Sequence, residues 1–242
     1  MLLYLRGVAE NFLNLVYPKL CVICGDALDP KDGLRLCRRC VDEIRPNPKP
    51  WCARCGRPVE RVGKICVECR RRHHNFKRNY SAYLYDGVMK KSIHQFKYRG
   101  KIYLSKLFAK LLIAFLRENT YIIEEIDGIV PVPLSKRRLK EREYNQSDLL
   151  ARPIAEEFSL PVLGALDKIR STRPQSELGK EARANNIRGA FRARDRNAAR
   201  GKTILLLDDV FTTGSTIDEC SRTLLDAGAK GVFSLTLARG FA

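Results

Sequence analysis

Hydrophobic and polar positions divide the chain into a polar, cysteine-punctuated first third and an alternating strand–helix remainder. Tyr80 to Tyr85 (YSAYLY) reads as a strand ending at Asp86-Gly87, and Val88 to Tyr98 as a helix stopped at Gly100. On that helix Lys90, His94, Lys97 and Lys101 recur on one face, which suits solvent and, less ordinarily, a phosphate-rich ligand. Ser105 to Arg117 follows as a helix with an apolar stripe from Leu107, Leu111, Ala114 and Phe115. Asp127 to Val132 is the next strand, Gln146 to Phe158 the next helix, and Val232 to Ala238 the last strand. Alternation of this kind predicts an α/β fold with a parallel sheet and helices on both faces.

The most informative stretch is Thr203 to Thr216, TILLLDDVFTTGST. Ile204 to Leu207 is a continuous apolar run, as in a strand buried on both faces of a parallel sheet. Asp208 and Asp209 then lie at its carboxyl end, where open α/β sheets place their ligands. Thr212-Thr213-Gly214-Ser215-Thr216 turns into a helix, Ile217 to Leu225, closed by Gly228. A glycine-bearing turn feeding a helix N-terminus offers backbone N–H groups and a positive dipole end to an anion. Two carboxylates beside a phosphate cradle fit a sugar phosphate. No Gly-Lys-Ser/Thr triplet ends the turn, so it is not a P-loop.

Two further segments are strongly polar. Leu134 to Tyr144 reads as a basic loop with Lys136, Arg137, Arg138, Lys140 and Arg142, aimed at the crevice of Asp208 and Asp209. Arg170 to Arg188 is too hydrophilic for core and too long for a plain connection, the profile of a lid.

The first third carries Cys21/Cys24, Cys37/Cys40, Cys52/Cys55 and Cys66/Cys69, each pair a C-x-x-C knuckle. That spacing lets two thiolates turn onto one tetrahedral Zn²⁺, and four thiolates leave no open position, so two structural zinc ions are expected. Sequential pairing of the knuckles is expected; a cross-braced arrangement fits the same spacing. Without an export signal the chain is expected in the cytoplasm, where thiols stay reduced. Leu2 to Val16 forms an amphipathic helix ended before Pro18, and no stretch is long and apolar enough to span a membrane. The predicted organisation is an N-terminal helix over 1–18, a double zinc ribbon over 19–75 and an α/β domain over 76–242.

Lys and Arg number 45 against 27 acids, a net charge of +18, which eight thiolates and two divalent ions lower to +14. Such a charge favours polyanions. Trp51, among basic residues of the ribbons, is placed equally well to stack a base or to cover a small core. Cys220 reads as a small buried apolar residue.

The strand–Asp–Asp–TTGST pattern resembles the phosphoribosyl-pyrophosphate (PRPP) signature of type I phosphoribosyltransferases. PVPLSKRRLKEREYNQSDLLA, then RSTRPQSELGKEARANNIRGAF, then LLLDDVFTTGST, together with the ribbons, resembles the ComF family. The resemblance implies a type I phosphoribosyltransferase-like sheet preceded by a small zinc-ribbon module with four cysteines to each ion. It implies that Asp208 and Asp209 hold ribose hydroxyls, and that Val210 and Thr212, Thr213, Gly214, Ser215 and Thr216 complete the PRPP site. It further implies Mg²⁺ with PRPP, Arg138 and Arg142 at the departing pyrophosphate, and a lid carrying Arg170, Arg173, Gln175 and Arg183. The activity implied is pentosyl transfer from PRPP to a nucleobase or nucleic-acid acceptor, linked to DNA uptake and natural transformation. The other reading is a single-stranded-DNA-binding competence factor that uses the fold as a scaffold or PRPP sensor, with competence-machinery proteins as partners. One departure is Glu143, where the family pattern has glycine.

Overall fold

The computed structural model describes residues 18–29, 34–172 and 186–240. The helix expected over residues 1–18, apart from Pro18, and the lid residues Arg173, Gln175 and Arg183 lie outside the described residues. The sheet comprises β1 (Arg78–Leu84), β2 (Gly128–Pro131), β5 (Thr203–Phe211) and β6 (Gly231–Arg239), in the order β1-β6-β5-β2. All three pairings are parallel, as the uninterrupted apolar runs predict. A second, two-stranded antiparallel sheet pairs β3 (Leu166–Lys168) with β4 (Phe191–Ala193).

Short helices α1 (Arg38–Asp42) and α2 (Val67–Arg71) belong to the cysteine-rich segment. The sheet is covered by α3 (Gly87–Tyr98), α4 (Leu104–Arg117), α6 (Gln146–Glu157), α7 (Arg196–Ala199) and α8 (Ser215–Asp226), while α5 (Lys136–Arg142), with no buried residue, follows β2 at the surface. Leu205, Leu207, Leu235 and Leu237 pack with α3, α4 and α6, whereas Ile204, Leu206 and Val232 pack with α8 and β4. The two faces alternate along each strand, as the pleat requires. On α4 the buried face is Leu104, Leu107, Phe108, Leu112, Phe115 and Leu116, so the expected stripe is rotated and Ala114 is exposed.

The basic stretch after β2 is a helix rather than a loop. Ser135 caps it by accepting from the Arg138 N–H at 3.4 Å, and Arg137 pairs with Glu141 one turn on. Lys, Arg, Leu and Glu are good helix formers, and charge density does not prevent a helix whose charged face meets solvent. Glu143 ends it at φ 65°, a left-handed position that glycine adopts without strain.

The ribbons close the open edge of β1. Asn47 N–H donates to Ala82 O at 2.9 Å, Leu84 N–H to Arg45 O at 3.0 Å, and Asn79 N–H to Arg54 O at 2.8 Å. Cys21, Leu28, Leu36, Cys40 and Trp51 join the core on one face of the sheet, and Cys52 and Cys55 the core on the other. The two ribbons therefore straddle the edge strand. Beneath the second lies a buried polar ladder: Asn79 Nδ2 donates to Cys55 O (3.2 Å), Ser234 Oγ to Asn79 Oδ1 (2.8 Å), and the Ser81 and Thr236 hydroxyls meet at 2.7 Å.

Gly56 sits at the closest approach, with φ 71° and space for a Cβ only 2.7 Å from Asn79 O. Gly25 holds the equivalent place in the first ribbon at φ 79°, with open space around it. Gly25→Ala is expected to cost about 1–2 kcal/mol from the left-handed backbone alone. Gly56→Ala meets a backbone carbonyl as well, so thermal unfolding should show it to be clearly the more destabilising. Equal losses would mean that the ribbon does not dock through Gly56.

Candidate functional site

Strand β5 carries on past the apolar run, which ends at Leu207, to Phe211, so Asp208 and Asp209 lie within the strand and leave it on opposite sides. Asp209 is buried, and its Oδ1 lies 2.6 Å from Lys97 Nζ on α3. Asp208 is half-buried; its Oδ1 accepts from the Asp209 N–H at 2.9 Å and from Ser147 Oγ at 3.3 Å. Burial, and then the neighbouring Asp209 charge, push the Asp208 carboxyl up to about 7 against the pull of Lys97. Burial works against the charge on Lys97, but the two carboxylates outweigh it and hold its ammonium group above the usual lysine range. Of the basic stripe, Lys90 and His94 meet solvent, while Lys97 turns into the crevice.

After Asp209 and Val210 the chain turns at Phe211–Gly214. Gly214 has φ 78° and is the N-cap of α8, and a Cβ there would collide with the Phe211 ring. Buried Ser215 places its hydroxyl 3.0 Å from that of Thr213, and Thr216 lies in the first turn of α8. Thr212 packs against Gly240, 3.1 Å from where its Cβ would be. Cys220, one turn along α8, is fully buried, and burial pushes its thiol well up.

The predicted cations are not all directed at the carboxylates. Arg138 donates to Thr172 O at 3.3 Å, beside Lys168 on β3. Burial, and then the Arg138 charge, lower the Lys168 amine to about 8, with Asp208 opposing. Arg142 instead donates to Gln146 Oε1 at 3.1 Å and lies over the Tyr98 ring, 4.9 Å from its centroid. Arg170 donates to the carbonyls of Asn186 (3.1 Å) and Arg188 (2.7 Å), holding together the two ends of the segment between them. Lys168 carries no motif that marks it in the sequence, and Ser147 lies within the PVPLSKRRLKEREYNQSDLLA stretch without being singled out by it. Lys97 is marked by periodicity only, which does not say what covers it.

The cysteines gather as Cys21, Cys24, Cys37, Cys40 and as Cys52, Cys55, Cys66, Cys69, with all ligand atoms of a group within 4.8 Å of one another. Pairing is sequential, not cross-braced. Cys24 and Cys37 sulfurs lie 3.5 Å apart and those of Cys55 and Cys66 3.7 Å. Four sulfurs about 2.3 Å from a central ion form a tetrahedron with edges of about 3.8 Å, so both sets fit Zn²⁺. They are far outside the roughly 2.05 Å of a disulfide. Cys66 N–H donates to Cys52 Sγ at 3.3 Å, the backbone support a thiolate needs. Trp51 is buried, tilted against Phe115 at 5.7 Å, with its Nε1–H on Asn47 O; it covers core and presents no face to a base.

Folded Asp208 keeps its proton up to about pH 7, whereas the unfolded chain releases it near pH ~3.9. Its contribution to stability therefore falls as pH rises through that window. The unfolding free energy of the wild type minus that of Asp208→Asn should decline from pH 5 to pH 7, by less than the roughly 1.4 kcal/mol per pH unit that one proton allows. A difference independent of pH would contradict the crowding of the two acids.

Residues 12–70 match the double zinc ribbon domain family and residues 146–241 the phosphoribosyl transferase domain family. Competence protein F of Haemophilus influenzae is 29% identical over 234 residues, 95% of this chain and 99% of that one. The DNA utilization protein YhgH of Escherichia coli is 30% identical over 228 residues, 93% of this chain and 99% of that one. Competence protein ComFC of Bacillus subtilis is 29% identical, with 86% of each chain covered. Among solved structures, an adenine phosphoribosyltransferase from Leishmania donovani aligns at 14% identity and a TM-score of 0.34, over 56% of this chain and 64% of that one. Relatives matched over nearly their whole length, and the same two domains in the same order, place this chain in the ComF family.

Proposed function

We propose that the crevice at the end of β5 binds Mg²⁺-PRPP and transfers its phosphoribosyl group, and that this serves the handling of incoming DNA. The observation that carries the reading is the adjacent Asp208–Asp209 pair beside the Gly214 turn, with only Asp209 paired to an ammonium group among the described residues. Asp208 and Asp209 accept from the two ribose hydroxyls. The turn from Thr212 to Thr216, with Val210 behind it, holds the 5′-phosphate through backbone N–H groups and the positive end of α8. Arg138 and Lys168, at the β2–β3 side of the crevice, meet the pyrophosphate; Arg142 lends charge from its seat over Tyr98. Arg170, at the start of the polar segment and bonded to its far end at Asn186 and Arg188, adds a cation near the substrate.

Once Asp208 loses its proton, above about pH 7, one lysine faces two crowded carboxylates, and the charge left over fits a divalent cation beside Asp208. Mg²⁺, when bound with PRPP, supplies neutralisation of the pyrophosphate charge. The bond from ribose carbon 1 to a pyrophosphate oxygen breaks with its electron pair leaving on oxygen. A nitrogen nucleophile on a nucleobase acceptor forms the new bond and gives up its proton to the departing pyrophosphate. This chain's residues contribute position, charge and exclusion of water rather than a general base.

The link to DNA rests on the names of the relatives, competence and DNA utilization proteins, and on the +18 charge. The alternative, a binding protein for single-stranded DNA, loses its stacking platform with Trp51 buried.

At pH 8, above the range in which Asp208 holds its proton, Asp208→Asn with Asp209→Asn removes two charged acceptors, each worth about 1.5–3 kcal/mol, so PRPP affinity should fall at least about 100-fold. Calorimetric titration measures this, with far-UV circular dichroism and zinc content confirming the fold. Unchanged affinity would overturn the assignment of the site.

A further inference from the structure

Behind the phosphate turn lies a cavity that this function does not use. It has a volume of about 250 Å³ and is bounded by the second ribbon on one side and by Phe211, Thr212 and Thr213 on the other. Its wall carries Arg57, Arg71, Arg72 and Arg239. Among the described residues one acid, Glu68, also lines it, and it is paired to Arg57 at 2.7 Å. Arg71 is exposed and Arg72 half-buried, so they stand at the mouth.

Arg239 is the unusual member. It is 2% exposed at the end of β6, with its guanidinium 4.5 Å from the Phe211 centroid and Nη2 3.7 Å from Cys55 Sγ. Nε and Nη1 are buried and have no hydrogen-bond partner among the described residues. A zinc-loaded ribbon with four thiolates carries two net negative charges, which Nη2 meets through Cys55. The remaining two nitrogens still lack acceptors, and an unpaired buried donor on a cation costs several kcal/mol. An acceptor that also brings charge relieves that cost better than a neutral one.

We infer that this cavity is a second anion site, which takes a phosphate group between Arg239 at its floor and Arg71 and Arg72 at its mouth. Its volume lies below the roughly 300–1,000 Å³ of drug-sized sites, so it admits one phosphate-bearing unit and no more. Phe211 lies under Arg239 and Trp51 is buried, so recognition is by charge and hydrogen bonds rather than by base stacking. The site stands independently of the PRPP reading, although Thr212 and Thr213 are walls common to both.

Equilibrium dialysis of inorganic phosphate against the full zinc-loaded chain tests this. Arg71→Ala with Arg72→Ala changes two residues at the cavity mouth and should weaken phosphate binding by about tenfold or more, the worth of one charge-assisted contact. Arg239→Lys, which keeps a buried cation but removes the planar donors, should weaken it comparably while zinc content stays unchanged. Phosphate binding that neither variant alters would place the ion in the front turn and overturn the proposal, as would no binding at millimolar phosphate. PRPP affinity is measured on the same variants: a wild type that fails to bind PRPP, yet loses phosphate in the arginine variants, sinks the PRPP reading alone. Competition then identifies the source of the phosphate. Displacement by a short oligothymidylate with a steep salt dependence indicates a nucleic-acid strand, and displacement by AMP alone a free nucleotide.

Discussion

A parallel sheet that ends in an open strand edge is incomplete, and the architecture here follows from how β1 solves that problem. Its outer N–H and C=O groups pair with Arg45, Asn47 and Arg54 rather than with another strand. Those residues lie in the cysteine-rich segment, which has few large apolar side chains and takes its rigidity from metal. Zinc sites and sheet thus depend on one another: the ribbons cap the edge, and the sheet supplies the apolar surface that Cys21, Cys40, Cys52 and Cys55 join. The polar ladder of Asn79, Ser81, Ser234 and Thr236 fixes where the second ribbon sits. A buried network of this kind is stable only when its members are satisfied, so it favours a single docking position.

The same docking reaches the turn before α8. Asn75, just past the second ribbon, donates from its backbone and side chain to Asp218 in the first turn of α8, at 2.7 and 3.2 Å. The neighbouring Phe76 ring meets Phe211 edge-on at 5.9 Å, and Phe211 fills the space that a Gly214 side chain would need. Across the sheet, Lys97 comes from α3 to balance one of the two acids. The crevice is therefore held from both faces: a cation on one side, a zinc-stiffened wall on the other. Position and charge are what the proposed transfer, which uses no general base, would require.

Much of this is legible in the sequence because the signals are chemical rather than statistical. The DD–TTGST stretch combines an apolar run, two acids and a small-residue turn, and no ordinary strand needs all three. C-x-x-C spacing speaks for zinc, though only the folded chain selects sequential pairing. What escapes is what depends on partners distant in sequence. Charge makes residues 136–142 read as a loop, although Ser135 and the Arg137–Glu141 pair supply a cap and a stabilising turn. Periodicity places Lys97 on a face but does not say that Asp209 lies opposite. Strands β3 and β4 are three residues each, too short for any alternation to show, so Lys168 has no signal. The sequence divides Trp51 evenly between core and ligand, and Phe115 decides for core.

The central claim is that the two acids and the glycine turn form one PRPP site. A crystal structure of the zinc-loaded chain grown with Mg²⁺ and PRPP tests it most directly. The account predicts the ribose hydroxyls on Asp208 and Asp209, and the 5′-phosphate within the turn from Thr212 to Thr216. Electron density for PRPP on the basic outer surface, with the crevice holding no ligand and the Lys97–Asp209 pair intact, would contradict it.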